Sequence, residues 1–182
     1  MDKELELVRK CKEHSRLAQK QLYEKYSHLM MGVCYRYVGD KALAQDLLHD
    51  GFIKIFEQIK SFEYRGSGSL RAWLARVFTN IALEYLRKND RNKIVPIEEW
   101  MELGAEEKED ACSTIPEHVL IDLIAQLPSG YRTVFNMYVL EEYSHKEIAS
   151  AMGIKEASAR SQLSRAKNIL MVKVKKYMDE NE

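Results

Sequence analysis

The strongest constraint on the fold is a run of apolar residues at Leu70, Trp73, Leu74, Val77, Phe78, Ile81, Ala82 and Tyr85. Steps of three and four residues bring all eight to one face of a helix, whereas a strand would scatter them over both faces. Leu17, Ala18, Leu22, Tyr26, Leu29, Met30, Val33 and Tyr37 repeat the pattern earlier in the chain. No segment of any length alternates with a strand period. The 182 residues include only 8 Gly and 3 Pro, too few for the many tight turns of a sandwich or barrel. The expected fold class is all-α, and a hydrophobic fraction of 46% is enough to fill a helical core.

Punctuation divides the helices. Gly39 ends the first run, and Asp40 is placed to cap a helix from Lys41 to about Lys60. The segment Ser61 to Ser69 carries a Gly-Ser-Gly centre and reads as a loop, with Ser69 as the expected cap of the helix from Leu70 to about Asp90. Thr114 and Glu117 have capping-box spacing, opening a helix to about Gln126. Leu127-Pro128-Ser129 breaks it, and a further helix is expected from about Gly130 to Leu140. Ser144 and Glu147 form a second capping box for a short helix to Met152, followed by a turn at Gly153 and a last helix from about Lys155 to Tyr177.

Lys+Arg and Asp+Glu both number 28, so the formal net charge is +0, yet the charge is segregated. Between Arg65 and Lys93, seven basic residues stand against Glu84 and Asp90. Between Ile94 and His118, eight acids stand against Lys108. Between Lys155 and Tyr177, seven basic residues stand against Glu156. Two basic blocks around an acidic stretch predict two modules and a flexible acidic linker: a first domain over 1–93, a linker over 94–113 and a second domain over 114–182.

Ser144 to Lys167 is the most specific stretch. A short helix, a glycine turn and a basic second helix are the parts of a helix-turn-helix. Ile148, Ala149, Met152, Ile154, Ala159 and Leu163 occupy the positions of its internal contacts, and Ala149 is small where the two helices cross. Lys155 begins the second helix in a place where Ser or Thr would cap better. The outward positions are expected to be Glu156, Ser158, Arg160, Ser161, Gln162, Arg165 and Lys167. Arg and Gln suit base edges, and Ser and Lys suit phosphates.

The first basic block joins an aromatic loop, Phe62-Glu63-Tyr64-Arg65-Gly66, to a helix face of Arg76, Asn80, Glu84 and Arg87. Positive charge, an amide and nearby aromatic rings are the groups that hold unpaired bases. Trp73 and Phe78 are expected in the core.

Several classes find no support. His14, His28, His49, His118 and His145 are scattered, and no phosphate-binding glycine loop, zinc-protease helix or nucleophile elbow occurs. Cys11, Cys34 and Cys112 form neither a zinc pattern nor a disulfide framework, which points to a reducing cytoplasm. No catalytic residue, metal ligand or cofactor is expected. No apolar run approaches the roughly 18 residues of a membrane span, and Met1-Asp2-Lys3-Glu4-Leu5 is unlike a signal peptide.

The sequence resembles the extracytoplasmic-function (ECF) class of bacterial RNA polymerase sigma factors, the small members of the sigma-70 family. The resemblance runs from about Leu17 to Tyr177. It rests on Ala44-Gln45-Asp46-Leu47-Leu48-His49-Asp50-Gly51-Phe52, on Phe62 with Arg71-Ala72-Trp73-Leu74, on Asn80-Ile81-Ala82, on Leu127-Pro128 with Tyr131-Arg132, and on the helix-turn-helix. It implies that the first domain, sigma region 2, holds the β′ clamp helices of core RNA polymerase and melts the minus-ten element of promoter DNA. The second domain, sigma region 4, would bind the β flap and the minus-thirty-five element. The linker would thread toward the RNA exit path.

By motif match, Asp46 and Asp50 fall on the polymerase-binding helix. Asn80 falls where the family contacts the extruded non-template base, with Phe62, Tyr64, Arg65, Arg76 and Arg87 completing the minus-ten set. Lys155, Ser158, Arg160, Ser161, Gln162, Arg165 and Lys167 form the minus-thirty-five set. Asp50 stands where Glu is commoner, and Gly51 is expected to weaken its helix locally. Gln162 replaces a basic residue frequent in the family and implies a shifted base preference. Members of the class commonly pair with an anti-sigma protein. The alternative is a conventional helix-turn-helix regulator with a helical effector or dimerisation domain, which would bind DNA tightly without polymerase.

Overall fold

The computed structural model describes residues 2–89 and 115–181. Every regular element among them is helical. The chain divides into two compact units, Met1–Glu84 and Tyr85–Glu182.

In the first unit, α1 (Lys3–Lys12) packs on α2 (Arg16–Val38), which pairs with α3 (Lys41–Gln58); the turn Ile59–Ser61 and a loop lead to α4 (Ser69–Asn89), whose residues 85–89 belong to the second unit. Gly39, at φ 71°, closes α2 by donating from its N–H to the Tyr35 carbonyl (2.8 Å). The next residue, Asp40, caps α3 by accepting from the Leu43 N–H at 2.8 Å. This two-residue stop and start makes α2 and α3 neighbours, with Leu22, Met30, Tyr37, Ile55, Leu70, Leu74 and Phe78 fully buried between the helices. Each such side chain contributes about 1.5–3 kcal/mol relative to exposure.

Helix α1 was not expected. Its apolar stripe is thin, with only Val8 and Cys11 buried. Asp2 caps it, and Glu6 bonds both Arg9 and Lys10, cations that draw its carboxyl down to about 2. Ser69 departs from its expected role as well. Its hydroxyl turns back into the loop, accepting from the Arg65 N–H (3.2 Å) and donating to the Gly66 carbonyl (2.7 Å). The Gly68 carbonyl takes the first bond of α4, from Ala72 N–H.

The second unit contains α5 (Glu117–Ala125), α6 (Ser129–Phe135), α7 (His145–Met152) and α8 (Glu156–Asn181). Thr114 lies outside the described residues. Glu117 is the first residue of α5, with Pro116 before it, so it does not stand at the third position a capping box requires. The helix expected to run to Leu140 changes character at Asn136 and winds one π-type turn, Asn136–Leu140. Helices α5, α6 and α7 all pack on α8, around Ile124, Leu127, Val134, Met137 and Ile148. Arg132 is buried with them: its Nη1 donates to the carbonyls of Ala125 (2.7 Å) and Leu127 (3.3 Å), tying α6 to the end of α5. A charged donor is a strong partner for carbonyls that a helix end leaves unpaired.

Candidate nucleic-acid interface

The helix-turn-helix is built as its residues require. Ser144 accepts from the Glu147 N–H at 3.3 Å, and Glu147 accepts in return from the Ser144 N–H at 2.8 Å, completing the capping box of α7. At the other end Gly153 takes φ 67°, and the Ile154 N–H reaches the Ala149 carbonyl at 3.0 Å. That six-to-one bond needs a left-handed residue at the turn, which glycine adopts without strain. Ile148, Ala149, Ala159 and Leu163 are buried at the crossing, while Met152 and Ile154 are half-buried.

Lys155, just before α8, is exposed, and helix α8 presents Glu156, Ala157, Arg160, Ser161, Ser164, Arg165 and Lys167 as exposed positions. Glu156 pairs with Arg160 one turn on. Ser158 is half-buried, and so is Gln162, which was expected to face outward. Its Oε1 is buried, 3.2 Å from where a β-carbon on Gly130 would lie, so the amide points back toward α6 and away from the exposed face. The spacing alone could not reveal this, because position 162 flanks the buried Ala159–Leu163–Ala166 stripe. Ser164, omitted from the expected set, takes an outward place one turn after Arg160 and Ser161.

Along α4, Arg76, Asn80, Glu84 and Arg87 are exposed. Glu84 pairs with Lys54 of α3 at 3.7 Å, which partly offsets the only acid on that face. The loop before α4 is held by Ser69 and by glycines at φ 111° (Gly66) and 85° (Gly68). Neither glycine has an atom near its absent β-carbon, so backbone conformation and not space selects them. Arg65 is exposed and pairs with Glu63 at 3.3 Å. Tyr64 is half-buried, and its hydroxyl donates to Asp2. Phe62, expected to meet DNA, is only 7% exposed and packs its ring 4.8 Å from Trp73. It is a support beneath the loop. Phe78 lies wholly in the core, and Trp73 is half-buried.

On α3, Asp46 and Asp50 are exposed one turn apart. Ile53 and Glu57 continue the same line, and Ile53 is 58% exposed, a large apolar side chain inside a charged stripe. The spacing from Asp50 was the available signal for it.

The sigma-70 region 2 family matches residues 22–92, and the sigma-70 region 4 family matches 117–170. The chain is 26% identical over 151 residues to the ECF RNA polymerase sigma factor SigM of Bacillus subtilis, covering 82% of this chain and 91% of the relative. It is 26% identical to the ECF RNA polymerase sigma-E factor of Haemophilus influenzae, covering 94% and 95%. To the RNA polymerase sigma-H factor of Pseudomonas aeruginosa it is 27% identical, covering 93% and 92%. Among solved structures, the sigma factor RpoE of Bartonella quintana, in complex with the anti-sigma factor NepR, aligns at a TM-score of 0.49 and 20% identity, covering 86% of this chain and 96% of that one.

The chain belongs to the sigma-70 family, as an RNA polymerase sigma factor of the ECF class. The conventional regulator is not favoured. Among the described residues no helix is long and apolar enough to cross a membrane, and no group of three or more His, Cys, Asp or Glu is arranged to hold a metal.

Proposed function

We propose that this chain joins core RNA polymerase through the α3 face of Asp46, Asp50 and Ile53, set against the β′ clamp helices, and directs the assembly to promoters. In this reading residues 1–93 open and read the minus-ten element, 94–113 connect, and 114–182 bind the β flap and the minus-thirty-five element. The chain itself catalyses nothing; it acts in the cytoplasm by positioning polymerase.

The observation that carries the reading is the α4 face. Arg76, Asn80 and Arg87 are exposed in one line, and the acid among them, Glu84, is engaged by Lys54. Guanidinium groups hold the backbone of an opened strand, and the Asn80 amide can donate to and accept from an unpaired base edge. Tyr64 and Arg65 add a ring and a guanidinium from the loop that leads into α4. On α8 the reading set becomes Arg160, Ser161, Ser164 and Arg165, with Lys155 and Lys167 on phosphate. Ser158 and Gln162 support the helix, as Phe62 supports the loop. In vitro transcription with core polymerase, with and without this chain, tests the proposal. Promoter-specific transcripts are expected only in its presence, and equal transcription without it would overturn the reading.

A further inference from the structure

Helix α1 lies outside both matched regions, the first of which begins at residue 22. It is nevertheless bonded to the loop that leads into α4. Both carboxylate oxygens of Glu4 are engaged. Oε1 accepts from the Tyr26 hydroxyl of α2 at 2.6 Å, and Oε2 accepts from the Gly68 N–H at 3.1 Å. Tyr26 is 5% exposed, so one end of this bridge is anchored in the core. The other end holds the backbone at Gly68, the residue before α4, where an anion is favoured by the helix dipole. Asp2 adds a second tie, accepting from the Tyr64 hydroxyl and from the Glu4 N–H.

Gly66 and Gly68 both have positive φ, and glycines leave a loop with many alternative conformations. The bonds of Ser69 close the loop on itself but do not fix it to the rest of the unit. Glu4 does that, by joining α1, α2 and the loop through one carboxylate.

We infer that Glu4 is a positioning residue for minus-ten recognition: it holds the Tyr64–Gly68 loop in the arrangement that receives the unpaired base. The inference rests on the loop-and-α4 reading given above. Fixing a glycine loop beforehand lowers the ordering cost at the moment of binding. Loss of Glu4 should therefore weaken the part of binding that depends on the base itself and leave the backbone contribution unchanged.

The test uses holoenzyme reconstituted from core polymerase and the full chain. A single strand carrying the minus-ten sequence is first selected by wild-type holoenzyme from a randomised pool. Affinity is then measured for that strand and for the same strand with an abasic site at each position in turn. Wild type should discriminate strongly at one position. Glu4→Ala should lose about tenfold in affinity for the intact strand, bind the abasic strand as wild type does, and co-elute normally with core polymerase. Glu4→Gln should restore discrimination, because its carbonyl can accept from Gly68 and its amide can donate to the Tyr26 oxygen. Tyr26→Phe removes only one anchor and should give an intermediate loss without disturbing the fold.

Unchanged discrimination in both Glu4→Ala and Tyr26→Phe overturns the inference and leaves the loop reading intact. Tighter binding by Glu4→Ala also overturns it, since the contact would then mask the loop. Wild-type holoenzyme that ignores every abasic site overturns the loop reading itself, and the inference with it.

Discussion

The ring of Phe78 on α4 fills the space that a side chain on Gly51 of α3 would need. A β-carbon at Gly51 would lie 2.7 Å from Cδ1 and Cζ of that ring and closer still to Cε1. Phe52 meets the same ring edge-on, with centroids 5.3 Å apart. The glycine therefore does more than weaken its helix: it lets α4 approach α3, and so sets where the Asn80 face stands relative to the Asp46 face.

Gly51→Ala should destabilise the first unit even though alanine is the better helix former. Alanine gains about 1 kcal/mol in propensity, but overpacking a filled core costs about 1–3 kcal/mol or more. With ring atoms this close the upper end applies, leaving a net loss of about 2 kcal/mol. Thermal melts should fall by about 10 °C. Adding Phe78→Leu, which removes the ring, should recover most of the loss; additive losses in the double variant would refute the packing account.

Charge reversal on α3 should separate the chain from polymerase without unfolding it. Asp46 and Asp50 are exposed, so Asp46→Arg has no core to disturb. A like-charge placement in an interface costs on the order of 2 kcal/mol, about thirtyfold in affinity. Ile53→Ala should also weaken the complex, because an apolar residue ringed by charge is a candidate anchor. Gel filtration with core polymerase reads both, and normal co-elution would remove these residues from the interface.

Asn80→Ala should impair strand opening while leaving polymerase binding intact. The residue is exposed, and loss of one base contact costs about 1–3 kcal/mol. Permanganate reactivity of the promoter should drop, and unchanged melting would remove Asn80 from the opened strand.

How much of this was legible depended on what carried the signal. The α2 and α4 stripes and the stop-start pair Gly39–Asp40 declared themselves, because a broad apolar face and a capped end need no tertiary information. Helix α1 did not, since its surface ion pairs outnumber its two buried residues. The site was partly readable. Arg76, Asn80 and Arg87 kept the outward face that helical spacing gave them. Phe62 and Gln162 did not face as expected, because each orientation is decided by a partner distant in sequence, Trp73 and Gly130. Gly51 is the same case in reverse: propensity marks it as a weakness, and only the approach of Phe78 explains it.

Burial pushes the Cys34 thiol up to about 12 and that of Cys11 up to about 11. For Cys34 the folded value exceeds the ordinary 9.0, so the protonated thiol favours the folded state. That contribution is complete below about pH 9 and shrinks as pH rises from there to about 12, the range in which the unfolded chain releases the proton and the folded one keeps it. Stability should fall across this window, and Cys34→Ala should show a flatter dependence in melts taken at successive pH values. Neither thiol should alkylate at neutral pH until the unit unfolds.

The recognition helix allows reading and support to be separated. Arg160 is exposed in its second turn but paired with Glu156, so it must exchange that carboxylate for DNA. Arg160→Ala should change which minus-thirty-five sequences a randomised library yields, with a cost of about 1–3 kcal/mol at one base position. Glu156→Gln should tighten binding to all promoters, because it frees Arg160 and removes a negative charge that faces phosphate. Lys167→Ala should weaken all promoters alike and reduce the salt slope by about one unit. Gln162→Ala should leave the enriched sequences unchanged, since its amide is turned toward Gly130. A library transcribed by these four holoenzymes decides the matter. A shifted preference with Gln162→Ala and none with Arg160→Ala would mean that the helix reads DNA from the flank of its buried stripe, not from the exposed face.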